Sequence, residues 1–468
     1  MSEAQSQPAV ASEDKLDFKR ILPIVVIVLV DLLGLTIIIP LLPLYAASFG
    51  ADPFVIGLVT TAYPALQFIG APLLGSFSDR HGRKPVLVIS QIGTFIGFIV
   101  LGFSTSIFMI LLARMIDGIS GANLSAAQAA LTDSTSEKNR TQGLGLLGAA
   151  FGLGFIIGPV IAFVALAIGN NDYRVPAFVA AGFSLLSILL TTFWFHETLP
   201  ADKRQEATAS RDTRGILGVF RALRHPTVGI LLVLIFFQQL VFFGFESLVT
   251  LFTLSRLGMN ASSNTILFVY VGILIVMVQG YFIGKWSRRF GERKLIFAGL
   301  GLLGLGLILT ALTPAQPVPW YSRAEMVQEM VANESNPVAS EGGSAVNAVS
   351  VSLPTDNHNG WLGLGWLLVA MIPTSIGGGL LSPSINSTIT KRVGAGEVGA
   401  MLGVSAALVS GANAISPVLG GAVFQTLGGT APFLAGGIVL VGLMWVAIQK
   451  VAPLPDSAGS PQPTSGQA

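Results

Sequence analysis

Twelve long apolar runs fill most of this chain, and they leave it one solvent to fold in. Reading between polar breaks, they lie near 21–45, 54–76, 86–104, 107–130, 143–168, 174–195, 227–253, 263–285, 294–313, 361–386, 398–427 and 430–450. Each approaches the roughly 20 apolar residues that carry a helix across a bilayer. Only 11% of residues are charged against 52% hydrophobic, whereas a soluble domain carries about 25% charged residues. Mean hydropathy is +0.73, so lipid must cover most of the apolar surface. The expected fold is an all-α membrane protein with 12 transmembrane helices. The polar first twenty residues are too long for a signal-peptide n-region, and no small-residue cleavage site follows, so the first run reads as a retained span.

Composition also removes function classes. A net charge of +2 leaves no basic face for nucleic acid. With no cysteine there is neither disulfide nor Cys-zinc site, and four scattered histidines suggest no metal cluster. The nearest string to a phosphate-binding loop, GYFIGKW at 280–286, is one residue short. No Ser/His/Asp pattern supports catalysis. The expectation is a protein that is not an enzyme and holds no cofactor or metal.

Lysine and arginine orient the spans. With the N-terminus inside, 22 of the 26 fall in cytoplasmic segments, three outside (Arg174, Arg256, Arg323), and Arg114 within a span. The positive-inside rule then predicts both termini in the cytoplasm. The lack of Cys and the short loops point to a bacterial inner membrane, with lipid as a partner of an expected monomer.

The chain also repeats itself. GSFSDRHGRK at 75–84 and GKWSRRFGER at 284–293 share Gly, Ser, Arg and Gly at identical spacing, offset by 209. Gly158-Pro159 and Ser416-Pro417 are offset by 258, so an insertion of 49 residues lies between, and the polar stretch 314–360 accommodates it. The organisation expected is a tail (1–20), a six-helix half (21–196), a cytoplasmic linker (197–226), a second half (227–450) with the 314–360 insertion outside, and a disordered tail (451–468). A short helix fits near 323–334, the rest of the insertion reading as a flexible loop. Two related six-helix halves are the pattern of secondary transporters, whose substrate site lies between the halves.

GSFSDRHGRKP resembles the loop signature between second and third spans of the major facilitator superfamily. Gly75 suits close helix approach and Gly82 a turn. Asp79 suits a neighbouring helix N-terminus and an arginine partner, closing a latch with Arg80, Arg83 and Lys84. In the second copy (Gly284, Arg288, Arg289, Gly291) the charges are partly exchanged, since Arg288 matches Asp79 and Glu292 matches Arg83. The first span DLLGLTIIIPLLP, the fourth-span segment ARMIDGISGANLSAAQAALTD, the fifth-span GLLGAAFGLGFIIGP and the sixth-span end FHETLP together resemble the twelve-helix drug–proton antiporters, within them the tetracycline-resistance exporters. The likeness is strongest over the first 200 residues. It implies alternating access, proton-coupled efflux of small amphipathic compounds, a proton-coupling role for Arg114, and a gate shaped by Gly148, Gly152, Gly154, Gly158 and Pro159. Uncoupled facilitation or symport of sugars, organic anions or lipid-like substrates, or a receptor role for the insertion, remain open on the same fold.

Charges inside spans mark candidate sites, because each costs about 3 kcal/mol at the bilayer centre. Asp31, Glu246, Arg114 and Asp117 are the proton-coupling candidates. Arg114 and Asp117 are three apart, on one helix face, so they can pair structurally. Gln239, Phe242, Phe243 and Glu246 recur at helical spacing, and aromatics around a carboxylate suit a bulky, cationic guest. Tyr63 and Gln67 are weaker cavity candidates. The tetracycline exporters carry an acid in the third span and His and Asp in the eighth and ninth. Here Gly97 stands in the third, FVYVGILIVMVQGYFIG has no His and FAGLGLLGLGLIL no acid, so any coupling falls to Asp31 and Glu246.

Overall fold

The computed structural model describes residues 18–121, 123–135, 140–199, 221–333, 352–393 and 398–451. Most of both expected tails, linker residues 200–220 and insertion residues 334–351 lie outside them.

Helices form where apolar runs have local start and stop signals. Helices α1 (Phe18–Ile38) and α2 (Leu42–Ser48) make the first span. They part at Pro40, which lacks the N–H the helix would need, while Pro43 sits harmlessly in the first turn of α2. Helix α3 (Pro53–His81) starts at Asp52, whose carboxylate accepts from the Val55 N–H at 2.8 Å. It ends at Gly82, whose φ of +105° is open to glycine. The third span is α4 (Arg83–Gly102). The fourth is divided at Gly121 into α5 (Ile107–Ser120) and α6 (Asn123–Asp133), with α7 (Arg140–Ile168) and α8 (Arg174–Phe193) completing the half.

The second half holds α9 (Gly229–Leu257) and α10 (Ala261–Met277), which runs through a π turn at Val278–Phe282 into α11 (Ile283–Phe290). After these come α12 (Glu292–Ala311), α13 (Arg323–Asn333), α14 (Leu362–Thr390), α15 (Val398–Leu427) and α16 (Ala431–Lys450). Eleven helical stretches among the described residues are long and apolar enough to cross a bilayer. The twelfth span is the α5–α6 pair, which the break at Gly121 leaves as two shorter pieces. Pro159 neither ends nor visibly interrupts its helix, since α7 continues to Ile168; buried membrane helices tolerate such prolines.

The packing repeats with the sequence. In the first half α1 packs on α7 and α8, α4 on α5 and α8, and α3 on α5. In the second half α9 packs on α15 and α16, α12 on α14 and α16, and α10 on α14. The pairings correspond one to one, which is the pseudo-symmetry of two six-helix halves.

Two seams join the halves, α3 against α15 and α7 against α10. They are tightest toward the end carrying the insertion. There Gly57 leaves no room for a Cβ against Pro417 (2.3 Å to its carbonyl oxygen), and Gly421 none against Pro53 (also 2.3 Å). Toward the end carrying the repeated GxxSxRxG loops, Cβ atoms on Gly75, Gly148 and Gly403 would meet nothing within 4 Å. We call these ends the insertion face and the basic face. The seams close one and part toward the other.

Candidate functional site

A cavity of about 250 Å³ opens where the halves meet, lined by α7, α9, α10, the π turn and α14. Phe151 and Phe155 enter from the first half, Phe242, Phe245 and Phe268 from the second, with Glu246 as the one charged lining residue. Among the described residues no side chain or backbone group donates a hydrogen bond to the Glu246 carboxylate. Phe242 joins Glu246 here as the helical spacing expects. Gln239 does not: its Nε2 donates to Asn413 Oδ1 at 2.9 Å, tying α9 to α15. Phe243 is likewise absent from the lining. Four residues of nominal spacing therefore split between a cavity wall and helix packing, since a helix face is wider than the wall it offers.

A second, polar cluster sits within the first half around the break in the fourth span. Asn123 Nδ2 donates to Asp31 Oδ2 at 2.8 Å, leaving Oδ1 buried without a partner beside a void of about 20 Å³ that Gln91 also lines. Arg114 and Asp117 form a fully buried ion pair on α5, as their spacing allows. The Arg114 guanidinium lies 5.5 Å from the Tyr63 ring centre and 5.7 Å from that of Phe98, so aromatic faces cover its remaining charge. Gln67 donates to Tyr63 Oη at 3.1 Å and to the Gly121 carbonyl at 2.8 Å, occupying an acceptor freed by the helix break. Tyr63 and Gln67 thus serve this cluster and do not line the larger cavity. Gly97 has a steric reason: a Cβ there would come within 2.9 Å of Asp117 Cβ, so the third span has no room for an acid beside the fourth-span carboxylate.

At the basic face each copy of the repeated loop fastens its own half. Arg83, the first residue of α4, donates from Nη1 to Asp79 Oδ1 at 2.5 Å and from Nε to Asp133 Oδ2 at 2.9 Å. The N-terminus of α4 is satisfied by Glu197, which accepts from the Arg83 and Lys84 N–H groups at 2.8 and 3.1 Å. The expectation that Asp79 caps a neighbouring helix is therefore corrected: Asp79 pairs with arginine, and the longer reach from FHETLP does the capping. Arg80 points to solvent, and Gly75 has no close neighbour. In the second copy Gly291 repeats the turn with φ +78°, Gly284 is nearly free of contacts, and Arg288 and Arg289 are exposed. Its buried hub is Glu292, which pairs with Lys391 and accepts from Ser287 Oγ at 3.1 Å and Ser387 Oγ at 3.3 Å.

A model of the Major Facilitator Superfamily matches residues 24–327. The chain belongs to that superfamily. The class B tetracycline resistance protein of Escherichia coli is 27% identical over 448 residues, spanning 94% of this chain and 98% of its own length. The class E protein, also from Escherichia coli, is 31% identical over 305 residues, or 64% of this chain and 74% of its own. Among solved structures, the human organic anion transporter MFSD10 (TETRAN) aligns with a TM-score of 0.59 at 23% identity, covering 92% of this chain and 99% of that one. A POT family transporter aligns with a TM-score of 0.67 at 14% identity, covering 92% and 95%. At such identities the structural likeness speaks for the fold. The chain is a multi-pass integral membrane transporter of small molecules, similar to the tetracycline-resistance group, and not an enzyme.

Within this superfamily member the fifth-span glycines divide by neighbour. Cβ atoms on Gly158 and Gly154 would reach Thr36 Oγ1 at 2.1 Å and Leu32 Cβ at 3.5 Å, so these two seat α7 on α1. Gly152 faces Val276 of the other half at 3.2 Å, whereas Gly148 faces open space. Close approach thus accounts for Gly158 and Gly154, not for all four. Sequence reasoning missed Asn123, Phe98, Phe151, Phe155, Asp133 and Lys391. Asn123 immediately follows the short break after Gly121, and a lone amide at a helix break inside lipid is the signal that points to a buried partner.

Proposed function

We propose that this chain is a proton-coupled exporter of bulky amphipathic compounds, with the basic face in the cytoplasm. The observation that carries the reading is Glu246. It is a single carboxylate without a hydrogen-bond partner among the described residues, at the wall of an aromatic cavity between two mobile halves. Such a group can hold a proton or meet a cationic guest, but it gains little from holding both, and that exclusion is what antiport requires. Asp31, half satisfied by Asn123, supplies a second protonatable carboxylate in the first half. Arg114 and Asp117 neutralise each other and set the electrostatic background against which Asp31 works. Each proton moving inward across about 100 mV yields about 2.3 kcal/mol.

Rocking of the two halves about the seams would expose the cavity to each side in turn. The closed insertion face and the parted basic face fit a cytoplasm-facing state. Similarity to the tetracycline resistance proteins supports efflux, although the eighth- and ninth-span His and acid expected in that group are missing here. That each chain carries both halves of its own cavity supports monomeric action.

The test uses purified protein in liposomes with a pH-sensitive dye inside. Ethidium, tetracycline, a neutral amphiphile and an anionic one are added in turn. Proton movement with ethidium, reduced at least tenfold in Glu246→Gln, is the expected result. Full proton-driven transport in both Glu246→Gln and Asp31→Asn would remove the residue assignment. Transport that persists unchanged after collapse of the proton gradient would replace antiport with facilitation.

A further inference from the structure

The insertion between α12 and α14 belongs to the second half by sequence, yet its helix is fastened to the first. Its root is rigid. Val318 donates to the Leu257 carbonyl at 2.9 Å, Gly360 to Pro317 at 2.8 Å, Tyr321 Oη to Pro354 at 2.8 Å, and Asn359 Nδ2 to Tyr321 at 2.7 Å. Gly258, with φ +64°, gives the Tyr321 ring its seat: a Cβ there would lie 2.2 Å from the ring. The described parts of the insertion are therefore folded onto the end of α9, which corrects the expectation of a flexible loop. The short helix expected near 323–334 is α13 (Arg323–Asn333).

From that root α13 reaches the turn between α7 and α8. Asn333 Oδ1 accepts from the Tyr173 N–H at 2.8 Å, and its Nδ2 donates to the Asn171 carbonyl at 3.0 Å. One oxygen of Glu329 accepts from Tyr173 Oη at 2.9 Å. The other accepts from Asn171 of the first half and Asn260 of the second, both at 3.3 Å. Ser262, starting α10, donates to Asn171 Oδ1 at 2.9 Å. The turn meets these partners with Asn170 and Asn171 in left-handed conformations, φ +52° and +63°, which asparagine tolerates better than most residues. Elsewhere on this face the halves meet through backbone packing at glycine and proline, through apolar contact of α2 with α9, and through a side-chain bond from Gln425 to Asp52 at 3.2 Å. The first half has only residues 103–106 at the corresponding connection, so the fold does not need the insertion to close its core.

We propose that α13 is a latch on the insertion face: Glu329 and Asn333 hold the two halves together there, and the face opens only when their bonds to the 171–173 turn break. This rests on the alternating-access reading but not on any particular cargo. It predicts that locking the latch stops the cycle and that loosening it biases the protein toward opening at this face.

The natural absence of cysteine makes the test clean. Asn171→Cys with Asn333→Cys, in liposomes, is followed for ethidium transport with and without oxidant. Cross-linking should reduce transport at least tenfold, and reductant should restore it. In a separate background, Val418→Cys, which faces Gly57 across the closed seam, reports opening to a membrane-impermeant maleimide. Glu329→Ala with Asn333→Ala should raise its labelling several-fold. The proposal falls if the oxidised pair transports as fast as the reduced one, if the thiols do not cross-link, or if Val418→Cys labelling is unchanged. If ethidium is not carried by the unmodified protein, the cargo class under the proposed function is wrong, and the Val418→Cys labelling alone decides the latch.

Discussion

The two faces of the molecule are held by different chemistry. On the basic face the ion pairs at the two repeated loops lie inside each half: Arg83 with Asp79 and Asp133 in one, Glu292 with Lys391 in the other. On the insertion face the bonds that cross between halves come from uncharged donors: those of Tyr173, Asn333 and Ser262 to amide oxygens are neutral, while Tyr173 and Asn171 also donate to the Glu329 carboxylate and Gln425 to that of Asp52. A neutral hydrogen bond contributes about 1 kcal/mol net, a bond to a charged group about twice that. Charge pairs suit junctions that must survive every cycle, and neutral bonds suit a junction that must open. The basic face also carries an inversion, for the hub at the start of the third span is a cation and the hub at the start of the ninth an anion. Lys84 and Arg293 keep the same sign and task. Lys84 Nζ donates to the Thr192 carbonyl at 2.8 Å and Arg293 Nε to Val451 at 2.8 Å, each pinning the last span of its half. Repetition has preserved the geometry of the junction and left the sign of its central charge free.

The largest effect should come from Arg83→Ala, which leaves two carboxylates facing each other with no cation between them. A loss of about 2 kcal/mol is expected, below that of a fully buried pair because the Asp79 and Asp133 side chains are 47% and 23% exposed and water meets part of their charge, read as a lowered unfolding midpoint in detergent. Comparable in size is Lys391→Ala, which strands the buried Glu292; its mirror, Glu292→Ala, frees a lysine whose side chain is 47% exposed and returns to water. The first should cost about 2 kcal/mol and the second under about 1 kcal/mol. Equal losses in the two variants would break the claim that burial of the stranded partner sets the cost. Glu197→Gln weakens the cap on α4 and should cost about 1 kcal/mol, with the second half unaffected.

Much of this was legible beforehand, and where legibility failed the cause is geometric. Twelve spans, two halves and the insertion follow from apolar length, charge asymmetry and the 209-residue offset, because lipid makes secondary structure a question of span length. The Arg114–Asp117 pair followed from helical spacing alone. What could not be read was any partner far along the chain. Asp31 is met by Asn123, Arg83 by Asp133, and Glu329 by Tyr173, at separations no local pattern encodes. The latch helix itself was legible as a helix, and Met326 and Met330, four apart and buried in the core, mark its inner face, but that stripe does not tell which half receives it. Gly75 and Gly148 read as contact glycines because glycine spacing looks the same whether a neighbour is present or has moved away.

The smallest effect, and the one that most sharpens the contrast between the faces, is the pH dependence of the cross-half latch. Burial pushes the Glu329 carboxyl above the usual carboxylate range, while hydrogen bonds from Tyr173 and Asn260 pull the other way and only partly offset it. Asp172 and Arg174, in the same turn, act on Tyr45. An acid whose value is raised in the closed state binds its proton more tightly closed than open. Its support for closure is then complete below the ordinary carboxylate value of about 4.3 and is lost as pH rises through the raised one. Labelling of Val418→Cys, normalised to the always exposed Thr426→Cys, should therefore rise from acid to neutral pH, and Glu329→Gln should flatten the rise. Labelling that instead fell with pH would mean that the donors on Glu329 outweigh its burial. The carboxylate would then behave as a charged clamp like those of the basic face, and the distinction between a junction built to last and one built to open would have to rest on the neutral bonds of Asn333 and Ser262 alone.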